Sequence, residues 1–339
     1  RSQLGSSELG ADANVVLNSG NGPIEIYGQQ SGSANAWGVI VRGGSTINSG
    51  TNSITIDGKA DTTQGNAVEL ENSTAYPIKL LSAKTSGTAI SINGVATGAV
   101  AANGGQRGLY TAGAGLTLNA SAGGNISVVG TSGVSNTTNP GALYFLGDTN
   151  FLTSGLGTVT LDGGTRGIYM SGTHTLGAAA ASTAPSGAIT VIGDVLTGTP
   201  TVAVKTTGPV VFESSSANYS QTFSTTSLSL SGPPSSLRIG KTGNTSGVTI
   251  SGGTTSVAGP VTVNGAAVTV SSSITTTTSG GDIMIPASGA VSITAALAAS
   301  GNLGINGTTV TTSANASSSG ANGIAMTATA GAVTIGGTL

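Results

Sequence analysis

The sequence predicts an all-β protein, a right-handed parallel β-helix (β-solenoid) with three short strands per coil and about 11–12 coils. Three observations carry this prediction. The composition disfavours helices, a strand motif that ends in glycine recurs along the chain, and the spacing of that motif leaves room for three strands in each repeat.

The composition is that of a chain that buries aliphatic side chains and exposes very little charge. Gly accounts for 56 of the 339 residues, and 6% of the residues are charged, against roughly 25% in typical globular domains. Gly and β-branched residues are poor helix formers. The plentiful aliphatic residues and the low charge also separate the chain from the usual disordered class.

The same composition excludes several classes of partner. A formal net charge of −2 leaves no basic footprint for nucleic acid or for anionic lipid. The lack of cysteine excludes disulfides and thiolate metal sites and fits exported bacterial proteins. No run of 18 apolar residues suggests a membrane span. The chain begins RSQLGSSELG, without Met or a signal peptide, so we expect a mature or internal piece of a longer protein.

The recurring motif is an alternation of apolar and variable residues closed by glycine. Its glycines follow one another at intervals of 30, 36, 36, 33 and 30 residues. The six copies are IEIYG (24–28), ITIDG (54–58), ISING (90–94), ISVVG (126–130), VTLDG (159–163) and ITVIG (189–193).

Two further strands are predicted after each copy of the motif. Because both alternate apolar and polar residues, each coil should bury one row of side chains from each strand, with coils stacked about 4.8 Å apart. The predicted second strands are 38–43, 67–72, 108–113, 142–147, 167–172 and 201–206. The predicted third strands are 45–50, 77–82, 115–120, 150–155, 173–177 and 209–214.

Length differences between repeats fall mostly between the first and second strands. In solenoids, insertions at one corner project as loops from one edge, which is often the binding edge. The alternative is that loops rich in Gly, Ser and Asn are merely tolerated there. The linkers are 29–37, 59–66, 95–107, 131–141, 164–166 and 194–200.

The character of the chain changes near residue 225. Beyond Lys241 the only charged residue is Asp282, and no aromatic residue follows Phe223. We therefore predict decorated coils over residues 1–225 and a plain, low-charge shaft over 226–339 in one continuous solenoid, a rod of roughly 55 Å. One strand of each shaft coil is predicted to start near Val248, Val268, Val291, Val310 and Val333. These starts are 20, 23, 19 and 23 residues apart.

Glycine-punctuated strands such as ISING and ITIDG, a period of about 20 residues in the shaft, and abundant Ser, Thr, Asn and Ala together resemble the shafts of filamentous-haemagglutinin-like adhesins of two-partner secretion. Autotransporter passengers look similar. The resemblance covers roughly 14–339 and implies surface display, adhesion or fibre formation without enzymatic activity. The family's secretion domain carries Asn-Pro motifs, whereas here NPG (139–141) lies inside a linker, which puts a direct role in secretion in doubt.

Residues that could carry catalysis lack suitable partners in the sequence. His174, the only histidine, alternates with threonines and is predicted to be solvated. Asp57 and Asp162 occupy one repeat column, which turn chemistry explains. The stretch VTLDGGTRGIYMSG (159–172) resembles a phosphate loop, but no helix follows it; we expect Val159, Leu161, Ile168 and Met170 to point inward. Ligands for a metal are lacking, and the threonines form no repeated TxT column of the kind that binds ice.

The candidate functional site lies on the second strand. Stacked tyrosines offer two alternatives, a platform for flat ligands such as sugar rings or a ladder that only stabilises the fold. Arg42 and Glu71 share the next outward column and should form a surface ion pair of little energetic value. The predicted outward positions in successive coils are Ile40, Glu69, Tyr110, Tyr144, Tyr169 and Ala203.

We therefore expect a non-enzymatic adhesive or structural segment, without cofactor or metal, at the surface of a Gram-negative bacterium after export across the outer membrane. Glycans or neighbouring subunits are the expected partners of Tyr110, Tyr144 and Tyr169. One alternative is a subunit of a self-assembling filament, because open solenoid ends invite end-to-end homo-assembly. A second alternative is a β-helix enzyme that acts on polysaccharides.

Overall fold

The computed structural model of the chain is a parallel β-helix and describes residues 15–31, 37–61, 65–98, 106–133, 141–253 and 255–339. Short strands pair in parallel with the strand one coil earlier and one coil later. The described residues contain no α-helix, and their only helical turns are two 3-10 turns, Gly164–Arg166 and Ala181–Thr183. The predicted fold class is confirmed.

The first half of the chain contains the longest strands. In order they are β1 (Val16–Asn18), β2 (Ile24–Gln30), β3 (Val39–Arg42), β4 (Thr46–Asn48), β5 (Ile54–Ala60), β6 (Val68–Glu71), β7 (Ile78–Ser82), β8 (Thr88–Ala96), β9 (Leu109–Thr111), β10 (Leu116–Ala120), β11 (Asn125–Ser132), β12 (Leu143–Leu146), β13 (Thr149–Thr153), β14 (Val159–Asp162), β15 (Ile168–Gly177), β16 (Ile189–Ile192), β17 (Leu196–Lys205) and β18 (Pro209–Glu213).

The strands of the second half are shorter. They are β19 (Phe223–Ser224), β20 (Leu228–Leu230), β21 (Ser236–Ile239), β22 (Val248–Ile250), β23 (Thr255–Val257), β24 (Val261–Val263), β25 (Val268–Val270), β26 (Ile274–Thr276), β27 (Ile283–Pro286), β28 (Val291–Ile293), β29 (Leu297–Ala299), β30 (Leu303–Gly307), β31 (Val310–Thr312), β32 (Ala316–Ser318), β33 (Ile324–Ala328) and β34 (Val333–Ile335).

The strands form three faces around one core. The first face is a single sheet of 12 strands that runs from β2 to β33 through every coil, in agreement with the predicted number of coils. The second face contains β3, β6, β9 and β12, and later the sheet from β19 to β34; the third contains β1, β4, β7, β10 and β13, and later the sheet from β23 to β32. Between these sets, β15 and β17 each cross both faces.

Alternation along each strand explains the core. In β5, Ile54 and Ile56 are fully buried, whereas Thr55 between them is half-buried. The equivalent inward residues of successive coils pack into one hydrophobic cluster that extends from Ile26 to Ala316. A solenoid is stabilised by such contacts between neighbouring coils.

Four of the repeated glycines lie inside first-face strands and serve close approach (Gly28, Gly58, Gly94 and Gly130), whereas Gly163 and Gly193 directly follow the last residue of theirs. Gly58 and Gly94 lie inside β5 and β8, so these strands continue beyond the predicted corner. A Cβ on Gly94 would lie 1.8 Å from the carbonyl oxygen of Gly108, and one on Gly58 would lie 2.0 Å from that of Ala67. The start of the second strand therefore rests directly on the glycine of the first.

The strand assignment in the sixth coil is wrong for two segments. Residues 201–206 were expected to form a second strand, but Val202 pairs with His174 on the third face. Residues 209–214 were expected to form a third strand, but β18 belongs to the first face. The reason is that β17 enters the second face at Leu196, within the predicted linker 194–200, and passes to the third face without a break.

The predicted loop corner is described only at its base. The strands on either side of the four longest linkers are in register from coil to coil, so all four linkers leave the rod at one corner. The predicted projecting loops fall largely on residues 32–36, 62–64, 99–105 and 134–140, which lie outside the described residues. The division of the chain at residue 225 stays a prediction.

Candidate functional site

The three predicted tyrosines lie in one outward column of the second face, which we call the tyrosine column (Tyr110, Tyr144 and Tyr169). Tyr144 is in register with Tyr110 on one side and with Tyr169 on the other. The column continues at Thr197, which pairs with Tyr169. The prediction that Ala203 continues the column is wrong, because β17 has already crossed to the third face at that residue.

The rings of the tyrosine column stack on one another along the rod. The rings of Tyr144 and Tyr169 are parallel within 7°, with centroids 4.2 Å apart. Tyr110 is tilted by 34° at 5.7 Å from Tyr144. The guanidinium carbon of Arg107 lies 3.8 Å from the ring centre of Tyr144 and 4.9 Å from that of Tyr110, and so contacts both rings.

This stacking leaves Tyr144 without an open ring face. Tyr169 covers one face and Arg107 the other, and only 4% of the residue is exposed. Each aromatic or cation–π contact of this kind contributes about 0.5–2 kcal/mol. A sugar ring would have to stack on a free aromatic face, so the geometry favours the stabilising ladder over the ligand platform at this position.

A polar cluster closes the end of the tyrosine column that faces the first coils. The Nδ2 atom of Asn66 donates to Oε2 of Glu69 over 2.7 Å, and the Trp37 side chain also hydrogen-bonds to Glu69. Burial raises the pKa of the Glu69 carboxyl, and the negative charge of Glu71 raises it further. The hydrogen bonds from Asn66 and Trp37 lower this pKa in part. Arg107 belongs to the same cluster, and burial lowers its pKa against the opposing effect of Tyr144, Tyr110 and Glu69.

Trp37, Asn66 and Arg107 were missed by the sequence analysis. Each directly precedes the first residue of a predicted second strand, at Gly38, Ala67 and Gly108. The backbone hydrogen bonds from Gly38 to Asn66 and from Ala67 to Arg107 place them in one column. Extending the repeat alignment by one residue into the linkers would have grouped them.

The histidine occupies the core, contrary to the prediction that it is solvated. His174 is fully buried on the third face, with its ring 6.2 Å from that of Phe145. Burial lowers its pKa to about 4, and the nearby Ser171 backbone and Asp148 carboxylate oppose this only in part. His174 shares the inward side of β15 with the fully buried Leu176, whereas Thr173 is exposed.

The stretch at 159–172 is a structural corner, as predicted. Val159, Leu161, Ile168 and Met170 all point into the core. Asp162 accepts a hydrogen bond from the backbone N–H of Gly164 over 2.8 Å, which is the expected turn chemistry. Turn chemistry does not extend to Asp57, which lies inside β5 and pairs with Asn93 of β8.

Arg42 and Glu71 form the predicted ion pair, with 3.0 Å between Nε and Oε2. Among the described residues, no group of three or more His, Cys, Asp or Glu side chains could hold a metal ion. The part of the chain that the structure describes also contains no helix that is long and apolar enough to cross a membrane. No protein-family model, curated protein sequence or solved structure matches the chain.

Proposed function

We propose that the chain is a non-enzymatic, extracellular segment of a large bacterial surface adhesin or exoprotein. It would extend the protein away from the cell and hold attachment loops along one edge of a rod, in the manner of a filamentous-haemagglutinin-like shaft or an autotransporter passenger. The observation that supports this proposal most is the first face, a single 12-stranded sheet that links successive coils from β2 to β33.

The mechanism follows from the regular stacking of the coils. Each coil adds about 4.8 Å, so the stack is a rod of about 55 Å. Because neighbouring coils share backbone hydrogen bonds and one core, the rod fixes the spacing of the strand ends from which its four longest linkers start. Several weak contacts at fixed spacing give an avidity that one loop alone cannot provide.

Bead attachment tests the proposal directly. Fluorescent beads coated with the whole chain should bind to epithelial monolayers or to polysaccharide-coated surfaces, and the soluble chain should compete. Beads coated with the urea-unfolded chain are the control. Attachment no stronger than that control, or release of reducing ends from the polysaccharides, contradicts the proposal.

A filament subunit is the second candidate, and the pairing between coils favours it. Because the coils join by parallel backbone pairing between equivalent strands, the same pairing between coils of separate copies would build a filament. Sedimentation of the whole chain at rising concentration tests this idea, and a strictly monomeric chain contradicts it.

A further inference from the structure

The corner between β6 and β7 differs from its neighbours in length. Residues 72–77 connect these two strands, whereas residues 43–45 and 112–115 make the same connection in the coils before and after. The longer corner therefore overhangs the outward column that contains Arg42 and Glu71.

Hydrogen bonds and neighbouring glycines fix the shape of this corner. The backbone N–H of Ser73 donates to the carbonyl of Tyr76 over 3.2 Å, and that of Tyr76 donates to the carbonyl of Ser73 over 3.1 Å. A Cβ on Gly43 would lie 2.7 Å from Cβ of Tyr76, and one on Gly113 would lie 2.6 Å from the carbonyl oxygen of Asn72. Glycines on both sides thus make room for a corner of defined conformation.

An open groove of about 320 Å³ lies under this corner, which we call the corner groove. This volume is at the lower end of the roughly 300–1,000 Å³ found for small-molecule sites and suits one or two sugar residues. The residues that line it include Arg42, Glu71, Asn72, Ser73, Tyr76 and Ala112.

The corner groove combines an available aromatic ring with paired polar groups. Tyr76 is 47% exposed and makes no ring contact among the described residues, unlike the tyrosine column, where ring faces cover one another. The guanidinium of Arg42 and the carboxylate of Glu71, both partly exposed, set hydrogen-bond donors beside acceptors. Because these two charges compensate each other, the groove is suited to a neutral polar ligand.

Asn72 fixes the corner to the next coil. It is only 5% exposed, and its Nδ2 donates to the carbonyl of Gly113 over 2.5 Å. The wall of the groove at this residue is therefore held in place by the neighbouring coil.

We propose that the corner groove binds a neutral sugar ring. One face of the sugar would stack on Tyr76, and its hydroxyls would bond to Arg42 and Glu71. This inference rests on the proposed adhesive function and names the ligand class and the residues that serve it. It also moves the glycan site from the tyrosine column to the corner between the second and third strands.

Saturation-transfer NMR on the whole chain tests the site. The probes are the methyl glycosides of glucose, galactose and N-acetylglucosamine, with cellotriose and chitotriose. At least one should bind, and Tyr76→Ala should weaken that binding about tenfold or more through loss of the stacking surface. Tyr76→Phe, which keeps the ring, should retain most of it, and Arg42→Gln should weaken it.

The matched control is Tyr27→Ala, because Tyr27 of β2 is equally exposed, at 48%, on another face. It should leave binding unchanged, and unfolding midpoints should show that all variants fold. Binding of none of the probes, or equal loss in Tyr76→Ala and Tyr27→Ala, overturns the inference. Bead attachment that persists in Tyr76→Ala leaves the adhesive function standing without this site, and sugar binding without bead attachment leaves the site standing without that function.

Discussion

The coils before residue 225 and those after it are built on the same three-faced plan but are stabilised differently. The early core contains large rings such as Phe145, Phe151 and Phe212, whereas the late core is almost entirely Val, Ile and Leu. First-face strands reach 7 residues in β5 and 9 in β8, against 3 in β24. Beneath the early corners, Ala60, Ala67 and Ala96 form a second small core.

The outward columns of the second face differ in the same way. The early coils place Glu69 and the tyrosine column there, whereas the late coils place hydroxyl groups. The late column, in register from coil to coil, contains Ser224, Thr249, Thr269, Ser292, Thr311 and Thr334.

Buried amides link the late coils at their corners. Nδ2 of Asn244 donates to the carbonyl of Asn264 over 3.0 Å, and Nδ2 of Asn264 donates to that of Gly240 over 2.9 Å. Bulky side chains and extended strands thus accompany long corners, whereas tight corners are stabilised by small polar side chains that satisfy the backbone.

Core truncation should separate the two regions most clearly. Phe145→Ala should lower the free energy of unfolding by about 3–5 kcal/mol, because Phe145 is fully buried and packs edge-to-face on Phe151. Val291→Ala in the late core should cost about 2 kcal/mol. Urea unfolding followed by circular dichroism measures both.

Leu156→Ala is the control for this comparison, because Leu156 is 78% exposed; its free energy of unfolding should change by less than about 0.5 kcal/mol. Equal losses for Phe145→Ala and Val291→Ala would show that ring packing adds nothing to the early core.

Acid should weaken the early region before the late one. The pKa of His174 is about 4 in the fold and about 6.5 in an unfolded chain. Between these values the unfolded chain binds a proton that the folded chain does not. Stability is therefore unaffected above pH 6.5 and falls as the pH drops towards 4, by about 3 kcal/mol in total.

Hydrogen exchange at pH 7 and pH 4.5 localises this effect. Protection should fall around β13, β15 and β17 and stay unchanged from β24 onward. His174→Leu removes the titrating ring, so it should abolish the difference. A loss that persists in His174→Leu would assign the acid sensitivity to other groups.

The features that follow from the repeat period could be predicted from the sequence. Alternation and glycine spacing predicted the strand faces, the inward residues of 159–172 and the register of Tyr110, Tyr144 and Tyr169. Prediction failed where the chain leaves the period. β17 enters the second face at Leu196, where no alternating apolar pattern marks a strand, so residues 201–206 were assigned to the wrong face. His174 is a polar residue at an inward position, which the alternation rule does not predict.

The corner groove could not be predicted because it depends on contacts between coils. Residues 72–77 look like an ordinary polar turn in sequence. Their importance comes from Gly43 and Gly113, which lie one coil to either side and admit the longer corner. The same holds for Arg107, whose contact with two tyrosine rings follows from its place at the end of a linker and not within a strand.

The amide links of the late coils should produce the smallest effect that still separates the regions. Asn264→Ala removes the donor to Gly240 and should lower the free energy of unfolding by about 1–2 kcal/mol, because a buried carbonyl loses its partner. Thr262→Ala is the matched control, because Thr262 occupies the outward position of β24 between two buried valines. It should change the free energy of unfolding by less than about 0.5 kcal/mol. Exchange of the backbone amides of β21 and β24 should rise in Asn264→Ala alone. Equal effects of the two substitutions would mean that side-chain amides do not stabilise the tight corners, and that the late coils depend on their aliphatic core alone.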